Sequence, residues 1–300
     1  MKKISAVISV FNEEKNIERC LKSLVFADEI IVVDNSSTDR TNELAKKFTK
    51  KIYIQANDPV KIDLQKNLGF SKATGDWILS VDADEEVSPE LAQEIKGVMD
   101  SSVNGYYIPR KNIIFGKWIE HSGWYPDFQL RLFKKGKGKF TKIHVHEPLS
   151  LDGEIKYLKN DLIHHNYDTV SQFLHKAINI YIPSEAKNKL DNGYVFSYAD
   201  AVRFPLQEFL SRFFSRKGYK DGFHGLMLAM LMSFYHFLVF AEIWERNRFK
   251  DLDEKQTLKL AGNEFNSSKK EIMFWLSKEK IDETKNPLKK MTYKLLSKIS

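Results

Sequence analysis

The stretch Gly75-Asp76-Trp77-Ile78-Leu79-Ser80-Val81-Asp82-Ala83-Asp84-Glu85 passes from a turn, through a short uncharged run, into a cluster of carboxylates. Trp77–Val81 has the length and composition of a strand covered on both faces of a sheet. Side chains two apart in an extended segment point the same way, so Asp82 and Asp84 are expected side by side, repelling each other unless a cation intervenes. Magnesium commonly takes one or two protein carboxylates and completes its octahedron with water and phosphate oxygens. A lone Asp-x-Asp also occurs as a surface acidic turn, so its weight depends on what surrounds it. An EF-hand is excluded, because Val87 stands where that loop requires glycine.

Upstream, Ile4–Val10, Glu29–Val33 and Lys51–Gln55 read as further strands, and Ile17, Leu21 and Leu24 fall at helical spacing between the first two. Asp39–Phe48 and Lys61–Lys72 read as helices. Strands alternating with helices predict an open, mainly parallel α/β sheet, in which ligands bind at the carboxyl ends of the strands. The polar clusters lie at those ends: Phe11-Asn12-Glu13, then Asp34 through Asp39, then Asp82 through Glu85. Ser37 or Thr38 is expected to cap the following helix, while Asp34 ends a buried strand and needs a partner such as a ribose or base edge. Ser88-Pro89 opens another helix. Neither a Gly-x-Gly-x-x-Gly after the first strand nor a P-loop sequence occurs, which disfavours dinucleotide cofactors and P-loop nucleotides.

Downstream of Gly105 come strand-like pieces, Tyr106–Arg110, Gln129–Lys134, Lys139–Val145 and Glu154–Leu158, read as an antiparallel extension. Residues 1–168 are expected to form one domain, 1–100 its first half with the ligand-binding strand ends and 101–168 its second. Residues 169–300 read as a helical C-terminal region containing the uncharged stretch Gly222–Ala241, with Lys285–Ser300 as an amphipathic tail. His144, His146, His164 and His165 make a histidine-rich region read as ligand contact or plain packing rather than a zinc site, since no second motif fixes a ligand set. Trp118 and Trp124 either fill a core or offer rings for stacking.

Across its 300 residues the chain carries 47 lysines and arginines against 40 acidic residues, a net charge of +7 that suits nucleic acid, an anionic membrane or a phosphate-bearing substrate. The basic residues are spread and no nucleic-acid-binding motif occurs, so nucleic acid is not expected as a partner. A single cysteine, Cys20, excludes an internal disulfide and fits a reducing cytosol. The amino-terminal apolar run reads as a strand rather than a signal peptide.

Four segments in order, Ser9 through Glu14, Val33 through Asp39, Gln65 through Gly69 and Gly75 through Glu85, resemble the successive signatures of family-2 glycosyltransferases with the GT-A (Rossmann-like) fold. Trp124 through Phe133, followed by His144-Val145-His146-Glu147, is similar to the branch containing β-1,4-glucosyltransferases of lipopolysaccharide and lipooligosaccharide core assembly. That resemblance implies an inverting hexosyltransferase that uses a UDP-sugar donor, a Mg2+ or Mn2+ ion and a cell-envelope glycan or glycolipid acceptor. It implies that Phe11, Glu13 and Asp34 meet the nucleoside, that Lys66 and Asn67 lie near the base and diphosphate, that Asp82 touches the ribose or sugar, and that Asp84 binds the metal. Asp127 takes the place of the family's base, although Pro126 stands where a paired acidic residue is usual. Trp124, His144, His146 and Glu147 become acceptor or diphosphate contacts, and Glu147 is the alternative base. Polyprenyl-phosphate sugar transfer and a catalytically inactive glycan-binding protein are the rival functions. The expected location is cytoplasmic, peripheral on an anionic inner-membrane surface, with Gly222–Ala241 lying on the membrane rather than crossing it.

Overall fold

The structure, a computed structural model, describes residues 2–58, 63–141 and 149–284. The chain divides into two compact units, Met1–Trp118 with Trp124–Asp168, and Ile119–Gly123 with Thr169–Ser300.

The first unit begins β1 (Ile4–Val10), α1 (Ile17–Ser23), β2 (Glu29–Asp34), α2 (Thr41–Ala45), β3 (Ile52–Ile54), α3 (Lys66–Lys72) and β4 (Trp77–Asp82). β1 pairs in parallel with β2 and β4, and β2 with β3. The uncharged runs are covered on both faces, as their composition predicts. Ala6, Ile8, Leu79 and Val81 enter one core layer, while Val7, Ile31 and Ile78 enter the other. The period of two thus sends alternate residues of one strand into opposite cores. α3 lies so close to the sheet that a Cβ on Gly69 would stand 2.3 Å from Val7 Cγ1, a position only glycine can fill.

Both early helices are shorter than predicted. α2 starts at Thr41 because Asp39, rather than Ser37 or Thr38, turns the chain: its Oδ1 accepts the Thr41 amide at 2.9 Å. α3 starts at Lys66, after a turn over residues 63–65. β5 (Glu85–Val87) and α4 (Pro89–Val98) follow, and Ser88 Oγ accepts the Leu91 amide at 3.1 Å as the Ser-Pro pair predicts.

The remaining strands of this unit are β6 (Gly105–Ile114), β7 (Lys117–Trp118), β8 (Asp127–Lys134), β9 (Gly138–Lys139), β10 (Ser150–Leu151), β11 (Ile155–Tyr157) and β12 (Leu162–Tyr167). Among the described residues one sheet runs β3-β2-β1-β4-β8-β6-β12-β5, with β7 and β11 also on β6. The expected antiparallel extension is mixed. β8 is antiparallel to both β4 and β6, but β11 and β12 pair with β6 in parallel, because β6 is long enough to take β11 at Gly105–Tyr107 and β12 at Arg110–Ile114. Antiparallel pairing brings the start of β8 to the carboxyl ends of β4 and β6. Tyr106 pairs with Leu132 and Tyr107 with Leu130, which leaves Arg131 unpaired in a β-bulge.

The second unit is helical, as read from Thr169 onward: α5 (Val170–Lys176), α6 (Ile182–Asp191), α7 (Asp200–Leu210), α8 (Phe223–Arg246) and α9 (Glu254–Glu283). Thr169 Oγ1 caps α5 by accepting the Gln172 amide at 3.1 Å. Ala177, Ile182 and Ala186 pack against Tyr235, Val239 and Ile243 of α8. The lysine-rich end, 285–300, lies outside the described residues.

Candidate active site

The loops after β1 and β2 are tied together at the strand ends. Asn12, in the left-handed region at φ 55°, donates its amide to Ser37 Oγ at 3.0 Å and accepts the Thr38 amide on Oδ1 at 2.8 Å. The Glu13 amide donates to Thr41 Oγ1 at 2.7 Å. Phe11 beside them is 43% exposed. Asp34 finds partners in its own loop and on α2: Oδ1 accepts the Ser37 amide at 2.9 Å and Oδ2 accepts Asn42 Nδ2 at 3.0 Å. Ser37, expected as a helix cap, instead braces this loop.

Beyond β4 the strand ends bury charge. Glu85 is fully buried and accepts the Asp82 amide at 2.9 Å and Arg131 Nη2 at 2.7 Å. Arg131, re-aimed by its bulge, also donates to Asp82 Oδ2. Lys66 reaches the same carboxylate at 2.7 Å and Asp63 at 3.0 Å. Burial raises the Asp82 pKa, but the Arg131 guanidinium and Lys66 ammonium outweigh it and hold the carboxyl well below its usual range. Burial likewise opposes the charge on Lys66, and Asp82 prevails and holds its pKa above the ordinary value.

Asp127 opens β8. Its Oδ2 accepts Arg110 Nε at 2.8 Å and Nη2 at 2.5 Å, and its Oδ1 accepts Gln129 Nε2 at 2.8 Å. Burial works against this carboxylate, but Arg110 and Gln129 hold its pKa below the usual value. Arg110 also reaches Glu85 at 3.4 Å, which links Asp127 to the buried cluster. Lys66, Asp82, Arg110 and Arg131 line a cavity of about 480 Å³, a size suited to a small-molecule ligand.

The expected side-by-side pairing of Asp82 and Asp84 is replaced by a division of labour. The chain turns at Ala83-Asp84, so the alternation of an extended strand ends at Asp82. Asp84 Oδ2 instead lies 3.5 Å from His164 Nε2. Asn112 Nδ2 donates to the Trp124 carbonyl at 2.7 Å, leaving Oδ1 as the acceptor that faces His164 Nδ1 at 2.7 Å. Nδ1 therefore carries the proton in a neutral His164, and Nε2 presents a lone pair toward a carboxylate. Imidazole nitrogen and carboxylate oxygen are ordinary donors to a divalent cation, so Asp84 and a neutral His164 are the residues that would hold one here. Charge favours one as well: Lys66, Arg110 and Arg131 face Asp63, Asp82, Glu85 and Asp127, one carboxylate in excess before Asp84 is counted. Among the described residues no group of three or more metal-ligating side chains is assembled, so the remaining coordination would come from water and substrate oxygens.

The Asn67 side chain is tied to the backbone of Phe140, donating at 2.9 Å and accepting at 3.1 Å, and Phe140 lines the cavity with Lys66. One face of Trp118 carries the Lys111 ammonium 4.2 Å from the ring centroid, and Tyr125 meets the ring edge-on at 5.5 Å. Trp124 serves through its carbonyl, fixing Asn112. His144, His146 and Glu147 lie outside the described residues. Sequence alone assigns no role to Arg110, Arg131 or Asn112, while Glu85 belongs to the carboxylate cluster expected after β4. Arg131 left a signal, since an arginine inside the apolar strand Leu130–Phe133 must be buried with anionic partners.

The chain matches the family model "Glycosyl transferase family 2" over residues 5–150. It is 30% identical to an uncharacterised glycosyltransferase of Rickettsia typhi, over 82% of this chain and 88% of that protein. It is 26% identical to the lipopolysaccharide core biosynthesis glycosyltransferase LpsC of Rhizobium meliloti, over 82% of this chain and 94% of that one. Residues 1–349 of Staphylococcus aureus TarS superpose with a TM-score of 0.41 at 14% identity, over 84% of this chain and 93% of that one. With the family model and the relatives in agreement, the chain belongs to glycosyltransferase family 2.

Proposed function

We propose that this glycosyltransferase is an inverting hexosyltransferase that moves a sugar from a UDP-sugar onto a hydroxyl of a cell-envelope glycan or glycolipid, lipopolysaccharide core being the acceptor class. The carrying observation is that Asp127, held ionised by Arg110, shares one sheet edge with the buried Lys66–Asp82–Arg131 cluster. Similarity to LpsC along nearly the whole of that protein supports the acceptor class.

In this reading Asp127 takes the proton of the acceptor hydroxyl while Arg110 and Gln129 hold its position. The acceptor oxygen forms a bond to the anomeric carbon as the carbon–oxygen bond to the diphosphate breaks, and the electron pair leaves with UDP. Asp84 and His164 would hold Mg2+ or Mn2+, which neutralises charge on the diphosphate when bound. Phe11, Glu13 and Asp34, at the ends of β1 and β2, face the uridine. The test is to incubate the protein with Mn2+, a core oligosaccharide and a panel of nucleotide sugars, then assign the product anomer by NMR. Transfer from UDP-sugars with inversion is expected; retention, or release of sugar to water alone, contradicts the reading.

The same reading places the protein at the cytoplasmic face of a membrane. Phe223, Met227, Met230, Phe234, Phe237 and Trp244 recur at steps of three, four or seven along α8 and are 37–73% exposed, so they form one apolar stripe. α8 is long and apolar enough to cross a bilayer. Its buried positions, among them Leu228, Ala229, Tyr235 and Val239, support a helix that lies on the surface and packs on its own unit. Basic residues flank it, Arg216, Lys217 and Lys220 before, Arg246 at its last position and Arg248 and Lys250 after, as an anionic surface favours.

A further inference from the structure

Three aromatic rings come together on neighbouring strands of the first unit. Tyr107 on β6 pairs in register with Tyr157 on β11, and their rings stack with centroids 5.1 Å apart. Phe128 on β8 meets Tyr157 edge-on at 4.9 Å. Packing of this quality belongs in a core, yet Tyr157 is 61% exposed and Phe128 39%. Tyr107 and Phe128 also line the cavity that holds Lys66, Asp82, Arg110 and Arg131. The cluster is therefore continuous with the charged site rather than a separate surface patch.

Its position in the sheet selects the ligand. The uridine end assigned above lies at β1 and β2, and the sheet order puts β4 between those strands and β8 and β6. The rings thus sit on the far side of Asp82 from the nucleoside. Asp127, the proposed base, alternates with Phe128 across β8, but Arg110, which holds it, lines the cavity together with the rings. A ligand there must present an apolar face to the rings and polar groups to Arg110, Gln129 and Asp82. A pyranose does both, through its axial C–H groups and its equatorial hydroxyls. A lipid tail would leave Arg110, Gln129 and Asp82 unmatched.

We infer that Tyr107, Phe128 and Tyr157 form a stacking platform for a pyranose ring of the acceptor glycan, next to the sugar that is modified or that sugar itself. The inference rests on the donor-transferase reading, and the experiment separates the two. Saturation-transfer difference NMR with a panel of methyl pyranosides, in the presence of UDP and Mn2+, reports ring C–H contacts. The UDP-induced rise in melting temperature, measured on the same samples, reports the donor site. In the wild type, pyranoside ring protons should saturate. In Phe128→Ala and Tyr157→Ala, affinity should fall about three- to tenfold while the UDP-induced rise stays unchanged. Tyr157→Phe keeps the ring and should retain binding, which also guards against loss through misfolding. Saturation equal in the wild type and both alanine variants, or none in the wild type, overturns the platform. A missing UDP-induced rise instead overturns the donor reading and leaves the platform to be judged on the pyranoside signals.

Discussion

Arg131 in the first unit is 7% exposed and wedged between two carboxylates, whereas Phe223 in the helical unit is 73% exposed at the start of an apolar stripe. Each region inverts the ordinary partition of charge outward and apolar surface inward, and they do so in opposite senses. Burying paired ions stabilises little by itself, because desolvation offsets their attraction. Leaving large apolar side chains in water forgoes burial that would stabilise the fold. A folded chain that keeps both departures keeps them for what binds there. The first implies a small polar ligand that uses fixed charges, and the second an extended apolar or interfacial partner.

The largest effect expected from breaking this contrast is on stability. Arg131→Met leaves Asp82 and Glu85 without their shared guanidinium, and removing one partner of a buried pair typically costs about 3–5 kcal/mol. Urea denaturation should register that loss; a change below about 1 kcal/mol would mean the cluster is wet.

Glu29 supplies a control, a buried carboxylate at the amino end of the same sheet whose partners are all internal. It accepts from Ser5 and Lys51, and from the Thr74 amide at 2.9 Å. Burial opposes its ionisation, but Lys51, Ser5 and Thr74 hold its pKa down to about 2 from 4.5. Its folded pKa is depressed, so its contribution is present above pH 4.5 and is lost as pH falls toward 2. That contribution is about 3 kcal/mol. Glu29→Gln should therefore lower stability at pH 7 and flatten its dependence between pH 5 and 2, with UDP binding unchanged.

Asp127→Asn keeps the shape of the side chain but removes its charge, its basicity and one of its two acceptors. Transfer should drop at least ~100-fold, about 2.7 kcal/mol in barrier, with donor affinity within about twofold. Near-normal transfer would move the base to Glu147. The smallest stability effect belongs to the helical unit. Phe234→Glu lies on an exposed position of α8 and should change stability by less than about 0.5 kcal/mol. It should nevertheless abolish flotation with anionic liposomes. Unchanged flotation would remove the stripe from the membrane account, and wild-type resistance to alkaline extraction would indicate a span.

Much of this contrast was legible in the chain. Continuous apolar runs and their polar ends locate β1, β2 and β4, because burial on both faces dictates composition directly. Asp34 and Asp82 are marked by their place at strand ends, where carboxylates need partners, and Asp127 by the family resemblance. The branching of β6 to β11 and β12 was not legible, since which distant strands pair depends on tertiary geometry rather than on either segment. Nor was the separation of Asp82 from Asp84, which follows from a two-residue turn that the extended-strand rule does not foresee. Arg131 reaches the site through a bulge, and bulge register is set by the partner strand. The stacked Tyr107, Phe128 and Tyr157 are 50 residues apart at their extremes and meet only through that pairing.

The central claim is that the buried charge at the strand ends, with Asp84 and His164, is built to receive a nucleoside diphosphate and its cation. Thermal unfolding of wild type and Asp84→Ala, each with UDP, with and without Mn2+ and then with excess chelator, tests it directly. The account predicts a Mn2+-dependent stabilisation of the wild type, about 2.7 kcal/mol when UDP reaches a hundred times its Kd, that chelator and Asp84→Ala both remove. Equal stabilisation by UDP with and without metal, surviving in Asp84→Ala, would contradict it.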